Sequence, residues 1–252
     1  MANARVSRFA RAIFIVGVAV WIAPRAGVLR TEPQPKGTIP VFSAGARQPL
    51  ASIPQQNAFR PAGVISASDV QYPLDTTAEG IVVLDVLLSA RGKIASINKL
   101  ADIPPLTNAA ESSLSAWRFM PATGEGAADA SQFLVAFVFR HAIAGRNPPA
   151  FSPIFPPGQA TGYIPPGIMS AAYAEYPSST IAAGAIVVEE TIRADGGIKN
   201  VRVVRGMSGG FAPLASKAAS QWGFEPAMLN GSPVASKVAI AFVFSSRALN
   251  PF

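Results

Sequence analysis

The residues of this chain that could perform acid–base, nucleophilic or metal chemistry are few and scattered. The sequence has one histidine, His141, and no cysteine. Neither a paired nucleophile nor a second metal ligand lies near His141, so we expect a solvated side chain after a strand. The absence of cysteine excludes disulfides, thiolate metal sites and cysteine nucleophiles.

Two other patterns also fail as catalytic sites. Ser96 and Lys99 have S-x-x-K spacing, which needs a helix, but they fall on a predicted strand where residues three apart face opposite sides. Glu189 and Glu190 are neighbours on another predicted strand, so they cannot act as a carboxylate pair. Together with Asp85 we expect them to be solvated or edge charges. The sequence therefore predicts no enzyme, no metal and no cofactor.

The segments around these residues occur twice in the chain. PAGVISASDVQYP, residues 61–73, returns as PPGIMSAAYAEYP, residues 165–177. WRFMPATGEG, residues 117–126, returns in the same order as WGFEPAMLNG, residues 222–231. Repeated self-similarity in one order predicts a duplicated structural unit.

Proline-containing stretches separate the predicted units, because paired prolines such as Pro148-Pro149 remove backbone donors and stiffen the chain. The predicted organisation is a signal peptide or membrane anchor at 1–30, a linker at 31–60, a first repeat at 61–141, a Pro-rich linker at 142–164 and a second repeat at 165–246.

Each repeat predicts the order β-β-α-β, and hence an α+β fold with an antiparallel sheet and one helix on one face. Residues 81–89 and 185–193 are rich in Val, Ile and Leu and predict the first strands. The glycines of Arg91-Gly92 and Asp195-Gly196 predict tight hairpins.

A helix and a last strand complete each repeat. Leu106, Ala110 and Leu114 fall on one helical stripe with Trp117, and Trp222 has the matching place in the second repeat, so both tryptophans are predicted to pack in the core. Pro105 suits the first turn, and Asn108 with Glu111 has capping-box spacing. The last strands, 133–139 and 238–244, are apolar at consecutive positions and need cover on both faces. Because a three-stranded sheet is marginal alone, we expect the two repeats to pack or pair with each other.

The N-terminus predicts export. Arg5, Arg8 and Arg11 precede a dozen apolar residues, 12–23, which are typical of a signal peptide or, alternatively, an uncleaved inner-membrane anchor. Both alternatives place the body of the protein in the periplasm, and the mature N-terminal residue distinguishes them. Much of the net charge of +7 lies in this leader, and no basic stripe follows, so no nucleic-acid partner is expected.

Taken in order, the Tyr-Pro pair, the glycine before a hydrophobic strand, the glycine hairpin, W-x-F-x-P-A and the final F-x-F resemble the TonB C-terminal domain family in both repeats. The resemblance implies a helix on a three-stranded antiparallel sheet. It also implies a non-enzymatic periplasmic module that captures an extended segment of an outer-membrane transporter or other envelope protein by β-strand addition. Inner-membrane proton-driven motor proteins are further partners that the resemblance implies.

By position in the family fold, the partner contacts are expected in the last strand and at the Tyr-Pro stretch. The candidate residues are Gln71, Tyr72, Pro73, Gln132, Phe133, Glu175, Tyr176, Pro177, Lys237 and Val238. Each tyrosine either locks its extended segment onto the sheet or forms part of a binding surface. The alternative function is a structural envelope scaffold of two self-packed repeats without a role in energised transport.

Overall fold

The computed structural model describes residues 59–141, 148–158, 162–178 and 180–245. All of them belong to one compact unit, Leu50–Phe252. The predicted leader, residues 1–30, and nearly all of the 31–60 linker lie outside the described residues. Within the described ranges, none of the helices has the length and apolar character that a membrane-spanning helix requires.

The described part of the chain is mostly β-strand with two helices, which confirms the predicted α+β class. We call residues 59–141 the N-terminal half and residues 162–245 the C-terminal half. The elements are, in chain order, β1 (Gly63–Ser66), β2 (Gly80–Leu88), β3 (Ile94–Ala101), α1 (Leu106–Leu114), β4 (Arg118–Met120), β5 (Ala122–Gly124), β6 (Ala127–Asp129), β7 (Ser131–Arg140), β8 (Tyr163–Ile164), β9 (Gly167–Ser170), β10 (Gly184–Ile192), β11 (Ile198–Arg205), α2 (Phe211–Ala219), β12 (Gly223–Glu225), β13 (Ala227–Leu229), β14 (Ser232–Val234) and β15 (Ser236–Phe244).

A six-stranded sheet in the order β11-β10-β15-β7-β2-β3 forms the centre of the molecule. Inside each half the strands pair antiparallel, β2 with β3 and β7, and β10 with β11 and β15. The halves join through β7 and β15, which run parallel from Leu134↔Val238 to Arg140↔Phe244. The two last strands are therefore neighbours in the middle of the sheet, and β3 and β11 are its edges.

The sheet is covered on both faces, one helix on each. On β7, Val135 and Phe137 pack in the core that contains α1 residues, whereas Ala136 and Val138 pack in the core that contains α2 residues. Alternate residues of a strand face opposite sides, so the two cores lie on opposite faces. This explains why β7 is apolar at consecutive positions and buried from Ser131 to Phe139.

Each half also completes the core of the other half. β1, paired with β4, contacts β11 and β15, and its Val64 shares a core with Val187 and Ala239. On the opposite face Ile168 of β9 and Phe224 of β12 share a core with residues of β2 and β7. One helix cannot cover a whole three-stranded sheet, and the short strand pair of the other half covers the remainder.

The start of α1 differs from the prediction. The helix begins at Leu106 with Pro105 at the N-cap position and no side-chain cap, so the predicted capping box of Asn108 and Glu111 is wrong. Proline lacks an N–H, so the first turn has one donor fewer to satisfy. Thr107 Oγ1 instead accepts a hydrogen bond from the Ile103 N–H at 2.9 Å, and Glu111 pairs with Lys99 at 3.3 Å.

The β2–β3 hairpin approaches β4 so closely that only glycine fits at Gly92. Its φ is +70°, and an added Cβ would lie 2.2 Å from the Phe119 carbonyl oxygen. Gly126 has a similar φ of +84° but open space around it. We expect Gly92→Ala to lower the free energy of unfolding by about 2–5 kcal/mol, and Gly126→Ala by about 1–2 kcal/mol. Urea unfolding measures both, and equal losses would show that the close approach to Phe119 does not exist.

Candidate functional site

The expectation that each last strand offers an open edge is wrong. β15 pairs with β10 on one side and, from Val238 to Phe244, with β7 on the other. β7 likewise lies between β2 and β15. Over the shared register their N–H and C=O groups face strands on both sides, so an incoming strand has nothing to pair with there.

Three of the four predicted contact residues of the last strands lie inside the protein, and the fourth, Lys237, is half-buried. Val238 is buried between Glu190 and Leu134. Phe133 and Gln132 are buried just ahead of the paired stretch, and Gln132 Nε2 donates a hydrogen bond to Asp85 Oδ2 at 2.7 Å. These three side chains are buried, and their part in partner binding stays a prediction.

Both Tyr-Pro stretches are held against the sheet by their tyrosines. The Tyr72 hydroxyl donates to the Ala78 carbonyl, and its ring packs edge-on against Phe139. The Tyr176 hydroxyl donates to the Ala182 carbonyl at 2.5 Å, and its ring packs against Phe211 and Phe244.

These contacts favour the locking role of the two tyrosines. Their predicted companions differ in exposure: Gln71 and Glu175 are exposed, Pro73 is half-buried and Pro177 is buried.

A charged cluster at Glu189 connects the two halves, where the sequence predicted a solvated charge. The Glu189 side chain is buried, and its Oε1 accepts hydrogen bonds from Arg202 Nη2 and Lys237 Nζ, each at 3.0 Å. Its Oε2 accepts the Val64 N–H of β1 at 2.6 Å, while Arg202 Nη2 also donates to the Val64 carbonyl at 2.9 Å. Glu189 and Arg202 thus bind both backbone groups of one residue of the other half, as a neighbouring strand would.

The corresponding place in the N-terminal half has no basic side chain. Asp85 is buried and accepts from Gln132, and burial raises the pKa of its carboxyl despite hydrogen bonds from Gln132 and Asn98. Tyr163 of β8 is buried near it, and burial together with the Asp85 charge raises the pKa of that phenol. The two halves therefore use different polar chemistry at matching positions.

Glu190 lies on the opposite face from Glu189 and is also buried, so the expectation of a solvated carboxylate is wrong here too. Among the described residues neither of its oxygens has a hydrogen-bond partner. Burial raises the pKa of Glu190 to about 8. The carboxyl is therefore mostly protonated at pH 7.

The single histidine is buried, not solvated. The ring of His141 packs against Tyr72 with 4.5 Å between centroids, and its Nδ1 lies 3.1 Å from Ser245 Oγ. The exposed fraction of His141 is 8%. Trp117 and Trp222 are buried as predicted, with indole N–H groups donating to Ser113 Oγ and the Ala172 carbonyl. Within the described ranges no three His, Asp or Glu residues are grouped as a metal site.

Most of the C-terminal half matches a known family model. Residues 172–245 match the family model of the Gram-negative bacterial TonB protein C-terminal, which confirms the resemblance for this stretch. The match spans β10, β11, α2 and β15. No curated protein and no solved structure matches the chain. TonB C-terminal domains are periplasmic interaction domains without catalytic activity that contact outer-membrane proteins.

The Glu189 cluster can be tested against its counterpart at Asp85. Glu189→Gln leaves Lys237 and Arg202 without a counter-charge, and we expect the free energy of unfolding at pH 7 to fall by about 2 kcal/mol, since Arg202 is half exposed and partly solvated. Asp85→Asn is the matched control, because the hydrogen-bonding partner of Asp85 is neutral. It should change the free energy of unfolding by less than about 1 kcal/mol. Equal losses in denaturant unfolding would remove the distinction between the two sites.

Glu190 makes stability depend on pH. Its pKa is raised from 4.5 to about 8 in the folded protein, so the contribution of Glu190 to stability is fully present below pH 4.5 and is lost as pH rises through about 8. We expect Glu190→Val, which copies Val86 of the other half, to stabilise the protein increasingly across that window, by on the order of 4 kcal/mol above pH 8. Exposed Glu175→Val is the control, with no such trend. A gain independent of pH, measured by denaturant unfolding at pH 5, 7 and 9, would contradict the burial of an uncompensated carboxyl.

Proposed function

Residues 172–245 match a TonB C-terminal domain, and from that premise we propose that the N-terminal half is a second copy of the same domain. The element order supports this, since each half has two long strands, a helix and a last strand. The burial patterns of β1 and β9 are identical, as are those of β3 and β11. The proposed copies keep the boundaries 61–141 and 165–246.

We infer that the protein is a non-enzymatic scaffold and interaction module of the Gram-negative envelope. The observation that carries this inference is the parallel pairing of β7 with β15. A domain that captures a peptide on its last strand must keep that strand's edge available, whereas here each copy uses the edge to hold the other. The function is therefore carried by a fused pair and not by two independent peptide-capturing domains.

The energies favour the fused pair over capture at these strands. Separating β7 from β15 would expose on the order of ten large apolar side chains, each worth roughly 1.5–3 kcal/mol when buried. A short peptide that binds with a micromolar Kd contributes only about 8 kcal/mol. Such a guest cannot displace the other half, so partners must bind elsewhere on the surface.

The setting of this scaffold is the periplasm, with envelope or outer-membrane proteins as partners and no nucleic acid. The leader is either removed after export or retained as an inner-membrane tether through residues 12–23. Coupling to a proton-driven motor is not required for a scaffold, because no movement of one half against the other is part of its action.

A reversible crosslink tests the fused pair in the cysteine-free chain. Val135 and Ala239 are registered partners across β7 and β15, so Val135→Cys with Ala239→Cys places two thiols in reach of a disulfide. We expect the oxidised and reduced forms to capture the same outer-membrane and envelope proteins from solubilised membranes. The single variant Val135→Cys is the matched control for oxidation itself.

Loss of capture on oxidation alone would mean that the last strands separate to bind partners, and it would contradict the scaffold proposal. Failure of either form to capture any envelope protein would contradict the interaction role.

A further inference from the structure

The outer edges of β1 and β9 occupy matching places in the two halves, but they are satisfied differently. On β1 the Val64 N–H and C=O are bound by the side chains of Glu189 and Arg202. On β9 the Ile168 N–H donates to the Ile154 carbonyl, and the Ile154 N–H donates to the Ile168 carbonyl, both at 2.9 Å. The chain's own linker between the halves therefore pairs with β9 as an added strand would.

The linker is held in this place by one backbone bridge and by the packing of two apolar side chains, Phe151 and Ile154, against the core. Ile154 makes an isolated bridge to β9. The ring of Phe151 packs against Trp222 with 6.4 Å between centroids, while Ser152 and Pro153 are exposed. Prolines at 149, 153, 156 and 157 remove further N–H donors, so the described part of the linker cannot extend the pairing.

The linker also borders an open cavity. Its volume is about 400 Å³, linker residues 149–154 form one wall, Ile81, Leu100 and Ile103 form another, and Glu79 and Tyr173 lie at its sides. A volume of this size falls in the range of ligand pockets. The linker therefore leaves uncovered an apolar surface beside it that a larger side chain could fill.

The matching place in the C-terminal half is closed by an ionic contact instead. Asp69 occupies the position that corresponds to Tyr173, and its Oδ1 accepts the Ala185 N–H at 3.3 Å. Its Oδ2 lies 3.6 Å from Arg205 Nη2. The N-terminal half has Ala101 at the position where the C-terminal half has Arg205. In the N-terminal half the cavity and the linker therefore stand in the place of the carboxylate–guanidinium contact.

We propose that the outer edge of β9, Trp222 and the cavity wall of Ile81, Leu100 and Ile103 form a peptide-binding groove, and that linker residues 149–154 are its displaceable internal occupant. This inference rests on the proposed interaction function. The occupant fixes the chemistry of the partner: an uncharged, extended, proline-containing protein segment with two large apolar residues three apart, as Phe151 and Ile154 are. A partner with a larger anchor fills the cavity and so binds better than the linker.

A tethered occupant competes with any partner at a high effective concentration, so weakening the linker must strengthen binding of a free peptide. The probe is a fluorescent peptide of residues 148–157, PPAFSPIFPP, together with a form carrying Trp in place of Phe151. Binding to the full chain is measured by anisotropy for the wild type, Phe151→Ala, Ile154→Pro and the exposed control Ser152→Ala. If the Ile154→Pro variant does not fold, Phe151→Ala alone still tests the proposal.

We expect both linker variants to bind the peptide at least tenfold more tightly than the wild type and Ser152→Ala, and to prefer the Trp form. Peptide binding should restore slow hydrogen exchange at the Ile168 amide in the linker variants. Equal binding by all four proteins, or no binding by any, would overturn the groove.

The crosslinked Val135→Cys/Ala239→Cys protein separates this inference from the proposed function. When the Phe151→Ala change is added to it, the peptide should bind equally in the oxidised and reduced forms. Loss of peptide binding on oxidation would contradict the fused scaffold. If the protein captures envelope proteins but does not bind the peptide, the groove alone is contradicted.

Discussion

The parallel pairing of β7 with β15 is the interaction on which the rest of the structure depends. It makes one sheet of two three-stranded sheets and turns both last strands into central strands. Phe137 is registered with Ala241, although its equivalent in the second half is Phe242, so equivalent residues of β7 and β15 face opposite sides. The two helices therefore lie on opposite sides of the sheet. Each half then leaves one face for the other to cover, and the short strand pairs β1–β4 and β9–β12 do so.

The two halves share this arrangement but differ in the polar groups that secure it. Glu189, which is paired with Lys237, and Arg202 bind the backbone of β1, whereas Asp85 and Gln132 at the matching place leave β9 to the linker. A duplicated sheet needs the same apolar pattern in both copies, since both sit in the same kind of core. The peripheral edges of the two copies do not need matching side chains, so their polar groups can differ. The proposed binding function lies at one of these edges, the outer edge of β9.

Local patterns in the sequence were sufficient to predict the long elements and much of the core. The Val- and Ile-rich stretch predicted at 81–89 is the strand Gly80–Leu88, and the apolar stripe through Leu106 and Leu114 is buried in α1. Glycine at Gly92 and Gly196 marks hairpins because both need positive φ beside a neighbouring carbonyl. Consecutive apolar residues in the last strands correctly indicated cover on both faces.

Apart from the capping box of α1, the errors concern contacts between residues that are distant in the sequence. The burial of Glu189 depends on Val64, and the burial of His141 depends on Tyr72 and Ser245, none of which any local pattern specifies. The edge of β7 is occupied by a strand about a hundred residues away, and apolar periodicity reports which faces are covered but not which edges are paired. The short strands β4–β6 and β12–β14 are too brief to show a period.

Native-state hydrogen exchange of the backbone amides in β7 and β15 tests the central claim most directly. If the two strands form the permanent centre of one sheet, the amides of residues 134–140 and 238–244 that face the partner strand exchange only through global unfolding, with the same free energy as those of β2 and β10. Exchange of these amides at a much lower free energy, while β2 and β10 stay protected, would show that the halves separate in the native state and would contradict the account.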